Sequence, residues 1–95
     1  MSGYRGLLET VAKREMGIIG KAKTFEVFRE LSIPLSEIGE ITGDGNYSID
    51  DLGRVFARLH EKFGPVAVMG CKIAVSRQAK ELDLPLPPIL TSRMA

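Results

Sequence analysis

"GPVAVMGCKIAVSRQAKEL", residues 64–82, is the stretch on which the fold of this chain turns. Val66, Ala67, Val68, Met69, Cys71, Ile73, Ala74 and Val75 leave its first half apolar nearly all round, with Lys72 the one charge. As a strand, Val66–Val75 would suit a buried sheet, because valine-rich runs favour sheets. As a helix it opens on Pro65, whose missing N–H is no loss at the first helical position, and runs to about Leu82. The helix is the preferred reading and the strand its competitor. A helix that is apolar all round is buried on most sides. The chain offers few other elements to cover it, so a second copy of the protein is expected against one side. Gly70, between Ala67 and Ala74, permits a close helix approach there.

Working back along the chain, residues 41–56, "ITGDGNYSIDDLGRVF", pose a choice between a metal loop and a helix start. Ser48 is a good N-cap, and Asp51 three residues later completes a short-side-chain capping box. Tyr47 and Leu52 hold the two positions of a hydrophobic staple. Asp50 and Asp51 complement the positive end of the helix dipole, and Asp50 can pair with Arg54 one turn on. Leu52, Val55, Phe56, Leu59 and Phe63 then give one continuous apolar face, ended by Gly64 and Pro65. An EF-hand loop starting at Asp44 would place Asn46 and Ser48 correctly. Its sixth position, however, is Ile49 instead of glycine, and its twelfth is Val55 instead of glutamate. Five residues fit a helix start against three for calcium, so no metal ligand is assigned.

Ahead of this lie two more helices. The first starts after Ser2, with Leu7, Leu8, Val11 and Ala12 as its apolar stripe and Arg5, Glu9, Lys13 and Arg14 largely off it. Gly17 and Gly20 break or bend it. The second runs from about Lys21 to Leu31, with Ala22, Phe25, Phe28 and Leu31 on one face, and Pro34 stops it. Residues 34–41 read as a short helical turn opened by Pro34 or, alternatively, as an extended segment, and 43–46 are turn material. The tail "LPLPPILTSRMA" cannot be helical through Pro85, Pro87 and Pro88 and is expected to be extended.

Composition narrows the function classes. Ninety-five residues with 44% hydrophobic content make one domain with a modest core, and domains of this size often gain stability by self-association. A net charge of +1 drives the chain onto neither nucleic acid nor membrane. Residues 1–4 lack a signal-peptide pattern, and the Val66–Val75 run is too short to span a bilayer. Cys71 is the single cysteine, which excludes an intramolecular disulfide and points to a cytoplasmic setting. The charge is segregated: Pro34–Gly53 is acidic and Arg54–Lys80 basic, a pattern suited to intramolecular or dimer electrostatics or, alternatively, to a partner's footprint.

Catalysis finds little footing. His60 and Cys71 are the only candidates for a Cys–His pair, and a cysteine on a buried helix behaves as a small hydrophobe. "GIIGKAKT" lacks the spacing of a phosphate-binding loop. No enzyme activity and no cofactor are expected. Nucleic acid has a better case: Arg54, Arg58 and Lys62 recur every four residues and align on one side of a helix, a row that could track phosphates, with Arg77 as a further cation. The plainer reading of that row is a solvated helix face. "FRELSIPLSEIGEI" resembles the segment after the recognition helix in mercury-resistance-type regulators. "AVSRQAKELDLPLPPILTSR" resembles the helix, turn and second helix of helix-turn-helix proteins. Each covers under a quarter of the chain. The first has no DNA-reading helices before it, and the second carries Pro87 and Pro88 where a recognition helix should run.

The sequence therefore predicts an all-α bundle of about four helices with an extended tail over 84–95. The leading function is a non-catalytic association module, a homodimeric adaptor or regulator. Its candidate interface is Val66, Met69, Gly70, Ile73, Leu86 and Ile89. The alternative is a DNA-binding regulator using Arg54, Arg58, Lys62 and Arg77, and the third is weak calcium binding. The expected partner is a second copy or another protein, with no membrane.

Overall fold

A computed structural model describes residues 3–87 of the chain. Four helices follow one another: α1 (Gly3–Ile18), α2 (Lys21–Glu30), α3 (Ile49–Phe63) and α4 (Pro65–Glu81). The protein is all-α, and Val66–Val75 is helical. α1 ends where Gly20 adopts φ +95°, a backbone setting that side chains resist, so the chain turns straight into α2. α3 begins at Ser48, whose N–H donates to Asp51 Oδ2 at 2.8 Å. Gly64, at φ +82°, separates α3 from α4.

Leu7, Leu8, Val11, Ala12, Val27, Phe28, Leu52, Val55, Phe56, Leu59, Val68 and Val75 form the centre of one apolar cluster. α1 and α4 are its most extensively packed pair, and Thr10 Oγ1 ties them further by donating to Gln78 Oε1. On α2 the buried side chains are Thr24, Val27 and Phe28, while Ala22 is exposed and Phe25 half-buried. The inward face is thus rotated from the one expected. Thr24 can lie inside because its hydroxyl donates to the Gly20 carbonyl at 2.8 Å, leaving no polar group unmet.

Residues 34–41 form a bridged loop and not a helical turn. Leu35 and Ile41 make an isolated antiparallel bridge, closed by Ser36 N–H to Glu40 O at 2.7 Å and Thr42 N–H to Pro34 O at 3.0 Å. Gly39 at φ +85° makes the reversal and rules out helical continuation. Of the expected extended tail, 84–87 are described and irregular, and 88–95 lie outside the described residues. The Tyr4 hydroxyl donates to the Pro85 carbonyl at 2.7 Å. Leu84 and Leu86 pack on the core, and Pro87 lies close against Gly53. No helix among the described residues is long and apolar enough to cross a membrane.

Candidate functional site

α4 packs inward through Ala67, Val68, Cys71, Val75 and Ala79. Helical geometry then turns Val66, Met69 and Ile73, at i, i+3 and i+7, to the opposite side. They are 71%, 67% and 72% exposed, and Ile18 at the end of α1 is 39% exposed. The expectation that this helix is buried on most sides is corrected: among the described residues, the chain covers one side only. Among the described residues, the slim core of a small domain leaves nothing to lay over the other.

Gly70 permits a close helix approach, and the helix that approaches is α1 of the same chain. A Cβ there would run into Ile18 Cδ1, so the space a side chain would need is already filled from within the chain. Arg14 Nε donates to the Gly70 carbonyl at 3.1 Å beside it. Gly70 therefore lets α1 close on α4, and Ile18 lies against it, widening the Val66–Met69–Ile73 stripe. Beyond Ile73 the same face of α4 carries the exposed Arg77 and Lys80. The face is apolar in its first half and cationic in its second. Leu86 is half-buried against the chain's own core, and Ile89 lies outside the described residues.

The cations proposed for nucleic acid meet acids of the same chain. Arg54 pairs with Asp51 and not with Asp50. Burial raises the Asp51 carboxyl, but the Ser48 N–H and Arg54 overcome this and leave it below its ordinary range. Arg58 reaches Glu61 at 3.4 Å and Glu30 at 3.9 Å, and Lys62 reaches Glu26 at 3.3 Å and also Glu30. The Lys62 hydrogen bond holds Glu30 below the usual carboxylate range, and Glu30 in turn raises the Lys62 ammonium. Arg58 and Lys62 thus clasp α3 to α2, while Arg54 is paired within α3. Arg77 alone of the four has no ion pair among the described residues.

Around the suspected calcium loop, Asp44 and Asn46 are exposed and Ser48 belongs to the helix start. Among the described residues no group of three or more His, Cys, Asp or Glu side chains is placed to hold a metal ion. The loop is instead fastened to α1: Arg5 Nη2 donates to Ile41 O at 2.7 Å, and Ile41 N–H donates to Glu9 Oε2 at 2.8 Å.

The thiol of Cys71 meets Glu15, not His60. Its Sγ–H donates to Glu15 Oε2 at 3.2 Å, and both side chains are fully buried. Burial and then the Glu15 carboxyl push the thiol far up, so it is an inert neutral group. Glu15 itself was not singled out from the sequence. Its spacing from Leu8, Val11 and Ala12 places it on the apolar stripe, and that spacing was the available signal.

Compared with protein-family models, with curated proteins and with solved structures, the chain matches none of them.

Proposed function

We propose that this chain is a small non-catalytic association module, an adaptor or regulatory protein, that pairs with a second copy of itself through the outer face of α4. The observation that carries the reading is the apolar stripe Val66, Met69 and Ile73, widened by Ile18. Three large apolar side chains on one helix face, each two-thirds or more exposed, are an uneconomical surface unless something covers them.

Magnitudes allow only a weak pair. Covering these four side chains in each of two copies, even partially, yields on the order of 10 kcal/mol. Association itself costs about 4–15 kcal/mol. At the low end of that cost about 6 kcal/mol remains, which corresponds to a dimer of tens of micromolar at best and not a permanent one. A two-fold axis across α4 would bring each stripe against its own image. The nucleic-acid reading loses support, because phosphates would have to displace Asp51, Glu26, Glu30 and Glu61 from Arg54, Arg58 and Lys62.

Sedimentation velocity over a range from about 5 to 300 μM, bracketing the micromolar regime, tests the pairing. The wild-type chain is expected to shift from monomer to dimer, and Ile73→Glu to stay monomeric with an unchanged helical circular-dichroism spectrum. A wild-type chain that remains monomeric throughout removes the reading.

A further inference from the structure

At the far end of α2 from Gly20 lies a cleft of about 350 Å³, lined by Phe25, Arg29, Ser32, Ile33, Pro34 and Leu35. It is separate from the α4 stripe in both elements and residues. We infer that this cleft binds a small organic carboxylate with a flat apolar body, its carboxylate on Arg29 and its body on Phe25.

Charge supports this assignment first. The acids of α2, Glu26 and Glu30, are engaged with Lys62 and Arg58 on α3. Arg29, the cleft's one charged residue, makes no ion pair or side-chain hydrogen bond among the described residues. Its planar guanidinium offers the two parallel donors that match a carboxylate. Lys21 Nζ also lies 5.8 Å from the Phe25 ring centroid. Phe25 is thus flanked at i−4 and i+4 by two cations, a setting for an aromatic anion and a hostile one for a cation.

The walls are built in advance. At the end of α2, Ser32 N–H donates to Arg29 O at 3.0 Å and Ile33 N–H to Phe28 O at 2.8 Å, which fixes the reversal. Pro34 stiffens the next step, and the Leu35–Ile41 bridge pins the far wall. Pre-formed walls spare a ligand the ordering cost of closing a loop. The volume lies at the lower end for ligand pockets and matches a small molecule. Ser32 sits at φ +61°, where glycine is the usual choice, and adds a hydroxyl to the rim.

The test is a two-dimensional amide NMR titration with 1-naphthoate and, separately, its neutral counterpart 1-naphthamide. The acid is expected to give saturable shifts at Phe25, Ser32, Ile33 and Leu35, and to bind at least tenfold more tightly than the amide. Arg29→Gln, a surface change, should bring the acid down to the affinity of the amide, and Arg29→Lys should restore part of the difference. Equal binding of acid and amide, no saturable shifts, or shifts confined to the α4 stripe would each overturn the assignment. Tighter binding of a short peptide ending in a free carboxylate would replace the small acid with a peptide and overturn it too.

Discussion

At the scale of single residues, Glu15 is the most demanding side chain in the molecule. It is fully buried between α1 and α4, one carboxyl oxygen takes the Cys71 thiol, and Oε1 has no partner among the described residues. A carboxylate in that position would be an unpaired buried charge, so burial raises its pKa, and the thiol offsets only part of this. The sign of the linkage follows. Below the ordinary value of 4.5 the group is protonated in both states and adds no pH dependence. As pH rises past that value the unfolded chain releases the proton while the folded chain keeps it, so stability falls until the folded group also ionises. Glu15→Gln removes this slope. Denaturant melts at several pH values should show the stability of the variant relative to wild type growing as pH climbs above the ordinary carboxylate range. A constant difference would mean that Glu15 ionises normally inside the fold. The comparison cancels Asp51 and Glu30, whose lowered carboxyls act in the opposite sense in both proteins.

At the scale of elements, the two helix ends at Ser32 and Asp83 share one design. After α4, Asp83 N–H donates to Lys80 O at 3.2 Å and Leu84 N–H to Ala79 O at 2.9 Å, repeating the pattern after α2. Both are Schellman motifs, with an apolar residue next in line: Ile33 behind Ser32 and Leu84 behind Asp83. In each, a non-glycine residue stands in the left-handed setting, at φ +61° and +55°. That setting costs an ordinary residue roughly 1–2 kcal/mol, part of which glycine returns through its looser unfolded state. Ser32→Gly and Asp83→Gly are each expected to raise stability by about 0.5–1 kcal/mol in chemical denaturation. Destabilisation by either would mean that its side chain holds the reversal. The two should part company in the naphthoate titration, with only Ser32→Gly weakening binding.

At the scale of the whole molecule, the charged residues of α1 act as fasteners. The sequence places Arg5, Glu9, Lys13 and Arg14 off the apolar stripe, where a solvated face is the ordinary outcome. Here Arg5 and Glu9 grip Ile41, Lys13 reaches Glu40 at 3.8 Å, and Arg14 reaches Gly70. The long connection between α2 and α3 therefore closes on α1 instead of trailing away. Glu9→Ala strips the buried Ile41 N–H of its acceptor and should cost about 1–3 kcal/mol. Hydrogen exchange at the Ile41 amide should accelerate with it. A change in stability below about 0.3 kcal/mol, which is small beside the penalty for an unpaired buried donor, would show that water replaces Glu9 readily. The molecule measures 32 × 30 × 18 Å, and so flat a body spends its apolar residues on one thin core. The bare stripe on α4 is the consequence at this scale.

What the sequence determined by itself was local: the limits of the helices and the starts and stops between them. Ser48 with Asp51, the Gly64–Pro65 junction, Gly20 and Pro34 act through backbone angles and hydrogen bonds spanning a few residues, so neighbours in the chain suffice to read them. Periodicity likewise marked the buried faces of α1 and α3, because one dominant stripe leaves no choice of side. It failed on α4, where apolar residues lie all round and only the approach of α1 decides that Cys71 faces in and Ile73 faces out. It failed again on α2, whose inward face turned toward Thr24 and Val27. The partners of Arg58 and Lys62, the bond between Glu15 and Cys71, and the cleft beside Arg29 depend on segments far apart in the chain. Only tertiary structure brings those together, since a side chain's partner is set by which elements meet and not by its own spacing.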